Sequence, residues 1–353
     1  MVYRIRSIQL RLMVLVLVAV SVQQVVADEP STGAVKVFVL AGQSNMEGKA
    51  QIPLLEHQIS APETKDLFAH LHKDGEFIVR DDVWIKFLDR KGKLTVGYGS
   101  PKRCGVELEF GFTVGDFYRE PVLIIKTAWG GKSLFRDFRP PSSGLPDADV
   151  LANDLNQSQK RRPQTTEQDI RDSYGNYYRL MVKDVKETLA NLDSHFPELS
   201  GRDVELAGFV WFQGFNDMIN EQYTASYSEH MANFIRDVRR DLKAPKLPFV
   251  IGQLGVGGDR DAGANAKRER FKTNQIAPAS LPEFQGNVLV VKTDQYWDWE
   301  AQAVFDKGWR QNLEEWNRVG SDFPYHYLGS HKCYGRIGRA FAKALIDYQT
   351  QKD

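Results

Sequence analysis

The stretch VKVFVLAGQSNMEG, residues 35–48, decides how the rest of the chain is read. Val35 to Leu40 is a short apolar run rich in β-branched residues, the pattern of a strand buried on both faces. It breaks at Gly42, which permits a tight turn, and Ser44 lands where a helix begins. Similar runs recur at Val122–Ile125, Leu206–Phe212, Phe249–Ile251 and Val288–Val291. Amphipathic helical patterns fall between or after them, at 174–192, 223–242 and 334–348. Strands alternating with helices predict an α/β protein whose parallel sheet is covered on both faces. In such sheets ligands bind beyond the carboxyl ends of the strands, so chemistry is sought just after each apolar run.

Composition narrows the function. The 353 residues carry 46 Lys plus Arg against 46 Asp plus Glu, with 42% hydrophobic and 26% charged residues. That balance is ordinary for a globular protein and gives no basic field for nucleic-acid phosphates. Two cysteines, Cys104 and Cys333, are too few for a disulfide framework or a cysteine zinc site. The nearest histidine pair, His70 and His72, lacks helical i, i+4 metal-ligand spacing, so no metal is expected.

Residues 1–27 read as a secretory signal peptide: Arg4, Arg6 and Arg11 precede an apolar stretch, and Val25 and Ala27 suit a cleavage site. The expectation is a secreted or periplasmic protein, off the membrane once cleaved, with residues 28–353 as one domain. Within it, residues of about 56–104 read as an insertion. Its 75–100 portion is expected to be a small antiparallel unit turning at Lys91-Gly92-Lys93. Residues of about 137–166 read as a long surface loop.

Four post-strand segments hold candidate chemistry. Ser44 follows the first run, and backbone N–H groups at a helix start can face a developing oxyanion; capping the helix is the plainer role. Trp129-Gly130-Gly131 follows the second, where glycines let backbone N–H groups approach a ligand. Gln213-Gly214-Phe215-Asn216-Asp217 follows the third and supplies side-chain amides. Near the C-terminus, His326 has Asp322 four residues upstream, the makings of a base and its orienting acid.

Together these segments resemble the SGNH hydrolase superfamily, and more closely its sialate O-acetylesterase and acetyl xylan esterase group, carbohydrate esterase family 6. The matching stretches are VFVLAGQSNMEG, VLIIKTAWGGKSL, GFVWFQGFNDM and YHYLGSHKCYGRIGRAF. The resemblance implies a flavodoxin-like three-layer α/β/α fold and a cofactor-free, metal-free serine esterase acting on acetylated carbohydrate. It assigns Ser44 as nucleophile, Gly130 or Gly131 N–H with the Ser44 N–H to the oxyanion hole, and Asn216 or Gln213 as the amide donor. The last motif departs from the usual Asp-x-x-His spacing. His326 is preferred as base over His331, since only His326 has an acid beside it in sequence; Asp294 and Asp298 are substitutes for Asp322. Trp129, Phe215 and Arg136 are candidate sugar contacts, with Arg139 beside them. A lipase or thioesterase of the same fold, or a non-catalytic carbohydrate-binding relative, fits the same residues.

Overall fold

The computed structural model describes residues 33–260, 263 and 265–351, so the signal-peptide segment lies outside the described residues. The core is a seven-stranded sheet. In chain order its strands are β1 (Val35–Gly42), β2 (Val83–Phe87), β3 (Arg90–Lys93), β4 (Val122–Ala128), β5 (Val204–Phe212), β6 (Phe249–Gln253) and β7 (Val288–Lys292). Their spatial order is β7-β6-β5-β1-β4-β2-β3, with every neighbouring pair parallel except β2–β3.

The five apolar runs read from the sequence are five of the parallel strands. Helix α1 (Ser44–Glu47) follows β1 directly, and the longer helices α2 (Glu107–Phe117), α3 (Asn176–Ala190), α4 (Glu221–Asp241), α5 (Ala266–Ile276) and α6 (His331–Thr350) surround the sheet.

Side-chain alternation along β5 assigns the layers. Phe209 and Trp211 point to one face, where both rings meet Phe234 of α4. Phe212 points to the other, against Phe341 of α6. Glycines let α6 lie close on that face. A Cβ at Gly208 would sit 2.5 Å from Leu345, and one at Gly252 would sit 2.7 Å from Phe341. The same face takes α2, whose Phe110 meets Phe38 of β1 edge-on at 5.4 Å. The result is three layers, helix–sheet–helix.

Two expectations need correction. The predicted small antiparallel unit forms as the β2–β3 hairpin but extends the central sheet: Val83–Phe87 is buried throughout and pairs in parallel with β4. Its hairpin turns at Leu88-Asp89, not at Lys91-Gly92-Lys93, which lies within β3; Leu88 takes a left-handed φ of 54°. The buried face outweighed the local turn signal of Gly92. The segment 137–166 is not wholly loop either. It contains a helix, Ala148–Gln159, whose Leu151 packs with Phe135, Ile170 and Tyr174 in a satellite apolar cluster. One buried leucine among polar residues gives too weak a period to read from sequence.

Candidate functional site

Strand register sets the site's height. Gly42 of β1 pairs with Ala128 of β4 and with Phe212 of β5. Ser44, Gly130 and Gly214 therefore each stand two residues beyond one common level. The chain runs from β1 to strands on one side and then crosses from β4 to β5 on the other, so this is a topological switch point. Gly42 is needed there, because a Cβ would lie 2.2 Å from the Phe212 carbonyl oxygen. Trp129 N–H donates to Gly42 O at 3.2 Å, which brings the next residue beside the serine. A Cβ placed on Gly130 would sit 3.8 Å from Ser44 Cβ. Below this turn Lys126 is fully buried. Its Nζ donates to Glu47 O at 2.8 Å, Tyr98 O at 2.7 Å and Glu107 Oε2 at 2.7 Å, which holds the end of α1 in place. Burial lowers the Lys126 pKa, against the opposing pull of Glu107.

The orientation of the Asn216 amide is fixed by a chain of hydrogen bonds. Gly214 N–H donates to Gln43 Oε1 at 3.0 Å, which settles which end of the Gln43 amide is oxygen. Gln43 Nε2 then donates to Asn216 Oδ1 at 3.0 Å. The NH2 of Asn216 is left with no protein partner among the described residues, on a partly buried side chain next to the serine turn. Gln213 is differently placed. Its Nε2 donates to Lys132 O (2.9 Å) and Asp217 Oδ2 (2.6 Å), and its Oε1 accepts from Tyr227 at 2.9 Å. Both of its amide hydrogens are engaged within the fold.

Asp217 itself was not singled out from the sequence. Fully buried, it accepts from the Leu134 and Phe135 N–H groups at 2.9 and 3.0 Å, so it ties the segment after Gly131 to the segment bearing Asn216. Burial pushes its pKa up to about 6, against those hydrogen bonds. Its adjacency to Asn216 in the Gly-x-Asn-Asp run was the available signal.

The third segment supplies an imidazole and its acid. His326 Nδ1 lies 3.0 Å from Asp322 Oδ1. Burial works to raise the Asp322 pKa, but the His326 hydrogen bond, the Phe323 N–H and the His326 and Arg103 charges outweigh it, and the net shift is downward. An ionised Asp322 accepts the hydrogen bond of Nδ1–H, which leaves Nε2 as the acceptor nitrogen. The backbone is strained just beyond His326. Tyr327 and Leu328 follow with φ of 49° and 60°, a left-handed pair without glycine. That strain is held from several sides. Leu328 O accepts from the N–H groups of Ser321 and Asp322. Tyr327 OH accepts from Gly255 N–H at 2.8 Å and lies 2.6 Å from Thr293 Oγ1.

The serine and histidine segments are bonded to each other. Asn45 Nδ2 donates to Tyr325 O at 3.1 Å, and the Tyr334 hydroxyl lies 3.1 Å from Asn45 Oδ1 and 3.2 Å from His326 O. Ser44 and His326 thus share one rim of the sheet. No hydrogen bond joins their side chains among the described residues; such bonds often tighten only when substrate binds.

The remaining candidates sit elsewhere. His331 opens α6, buried, with Nε2 2.8 Å from Gln51 O, and burial lowers its pKa to about 4. Asp294 pairs with Lys272 at 2.7 Å, and Asp298 caps the helix 299–306 while accepting from Ser330 at 2.6 Å. Arg136 pairs with Asp154 at 3.0 Å and lies over Tyr174, on the satellite cluster. Arg139 is buried on Phe135 O and Gly144 O. Trp129 packs edge-on to Tyr177 at 5.2 Å, and Phe215 lies 5.7 Å from Tyr325. Cys104 and Cys333 are both free, buried thiols. Among the described residues no cluster suits a metal ion, and no helix is long and apolar enough to cross a membrane.

Comparison with known proteins adds a family. Residues 34–298 match the family described as carbohydrate esterase, sialic acid-specific acetylesterase. That span includes Ser44, Gly130 and Asn216 and stops short of Asp322 and His326. A probable carbohydrate esterase of Arabidopsis thaliana is 32% identical over 54 residues, which is 15% of this chain and 21% of that protein. The match therefore spans about a fifth of that relative's length. Among solved structures, an Arabidopsis thaliana protein superposes with TM-score 0.51 at 16% identity, over 89% of this chain and 98% of the other. NanS does so with TM-score 0.50 at 17% identity, over 90% and 98%. At these identities the likeness is one of fold.

Proposed function

The chain belongs to the carbohydrate esterase, sialic acid-specific acetylesterase family, and from that premise we propose that it removes O-acetyl groups from carbohydrates through an acetyl-serine intermediate. Ser44 is the nucleophile in this reading and His326 the base. His326 Nε2 takes the Ser44 proton as Oγ attacks the acetyl carbonyl carbon. The carbonyl oxygen gains the negative charge, which the N–H groups of Ser44 and Gly130 and the Asn216 NH2 receive, with Gly131 N–H next in line. His326 returns its proton to the sugar oxygen as the C–O bond breaks. Water then repeats the sequence, and acetate leaves. Asp322 holds the imidazole in the tautomer that makes Nε2 basic and stabilises the imidazolium.

One observation carries the reading: the pair formed by Asp322 and His326 is bonded, through Asn45 and Tyr334, to the turn that bears Ser44. His331 and Gln213 take supporting roles here, since their polar atoms are spent inside the fold. The test is acetate release from acetylated xylan and from O-acetyl sialic acid by the unaltered protein and by Ser44→Ala, His326→Ala and His331→Ala. Loss in the first two variants with turnover kept in the third is expected. Full turnover in His326→Ala refutes the assignment.

A further inference from the structure

A cleft of about 290 Å3 opens behind Asp322. Phe305, Trp309 and Phe323 line one side, and Arg103, Gln51 and Asp322 the other. Its aromatic wall continues out of the cleft. Trp309 meets Phe323 edge-on at 6.0 Å, Phe323 stacks on Tyr325 at 5.4 Å and 9°, and Tyr325 reaches Phe215 at 5.7 Å. Tyr325 also lies 4.5 Å from the His326 ring, and Phe215 adjoins Asn216. Phe323 and Tyr325 remain 38% and 39% exposed. A connected row of partly exposed rings thus runs from the candidate reaction centre into the cleft.

An acetyl group needs none of this surface. A long acyl chain fits it poorly, because it would desolvate the Arg103 guanidinium and offer no acceptor to the N–H groups that Asp322 leaves over. Sugar rings match it: their C–H faces lie on aromatic faces, and their hydroxyls reach polar groups at the edge. Arg103, 30% exposed, supplies such an edge, with Nη1 3.4 Å from Asp322 and the rest of its fork in the cleft wall. Three ring-to-ring steps are more than one pyranose covers.

We propose that the row Phe215–Tyr325–Phe323–Trp309 is a binding track for an extended glycan chain, with the acetylated sugar at Ser44 and a neighbouring sugar stacked in the cleft on Trp309. The proposal rests on the acetylesterase reading and adds chain length to its substrate class.

The experiment compares kcat and KM for O-acetylated sugars of increasing chain length and for p-nitrophenyl acetate, in the unaltered protein, Trp309→Ala and Trp309→Phe. It adds calorimetric titration of Ser44→Ala with non-acetylated oligosaccharides. KM is expected to fall with chain length, and Trp309→Ala to raise it about tenfold for the longer chains, the equivalent of one lost stacking contact. Turnover of p-nitrophenyl acetate by Trp309→Ala, with an unchanged unfolding temperature, reports an intact fold, and Trp309→Phe restores most of the affinity. KM independent of chain length overturns the track, as does an equal loss on the single sugar. So does a preference for long acyl chains that vanishes in Trp309→Ala. If no ester is turned over at all, the esterase reading fails, and the titration still reads the track: oligosaccharide heat supports it and none refutes it.

Discussion

Gln43 and Asn216, 173 positions apart, are joined amide to amide at 3.0 Å, with Gln43 as the donor. Its other end is pinned by the Gly214 N–H, so the Asn216 amide has one orientation, with Oδ1 held by Gln43 and the NH2 left without a protein partner among the described residues. Gln43 therefore decides which end of the Asn216 amide is left free.

Asn216→Ala is expected to lower kcat about 10²–10³-fold with little change in KM, the loss typical of one oxyanion donor. Gln43→Glu is expected to approach the same loss. Its two oxygens still accept from Gly214 but repel Asn216 Oδ1, so the Asn216 amide turns over. Steady-state kinetics on p-nitrophenyl acetate check both, and unchanged kcat in Gln43→Glu removes the argument.

Asp322→Asn is expected to cost about 10²–10⁴ in kcat, because it removes the charge that stabilises the imidazolium and adds an NH2 donor that favours the other His326 tautomer. Asp294→Asn and Asp298→Ala are expected to spare kcat, with Asp298→Ala instead lowering the unfolding temperature through its lost cap. Reversed results move the acid elsewhere.

Gly329→Ala tests the strained turn. Its φ is +56°, and the added Cβ would meet Ser321 Oγ at 2.4 Å and Asp322 N at 2.6 Å. A loss of about 1–3 kcal/mol is expected in denaturant unfolding, with a drop in kcat as Asp322 shifts. An unaltered kcat indicates that the acid's position does not matter to turnover.

Stability is expected to fall on acidification from pH 6.5 toward 4. Burial lowers the pKa of both His331 and His230 to about 4, and the Arg139 charge adds to the effect at His230. Between those values the unfolded chain binds more protons than the folded one, so stability rises with pH. Asp217 opposes this. Its pKa of about 6 exceeds the unfolded value, so its contribution is lost as pH rises through that window. Two groups outweigh one. Unfolding temperature against pH measures the slope, and His331→Gln is expected to flatten it.

Much of the fold was legible because fully buried parallel strands write themselves as apolar runs, as Val35–Leu40 and Val122–Ile125 do. The hairpin at 83–93 was read as part of a small insertion, and its place in the central sheet was not legible. In the structure Lys86 is buried, with Nζ paired to Asp184, a partner 98 positions away that no local pattern reveals. That Ser44 and His326 would stand at one rim of the sheet was legible from motif and chain order. Asp217 and Gln43 were not, since what they do depends on backbone N–H groups brought near only by the fold. Choosing Asn216 over Gln213 likewise needed the hydrogen-bond partners of each.

The strand at the sheet's outer margin, Arg90–Lys93, has a further consequence. An open strand edge is a template on which a second chain can add, yet this one is four residues long and carries three cations. Another copy aligning there would meet like charge at close range. Self-association through this margin is thereby discouraged, and added salt, which screens the repulsion, weakens that guard.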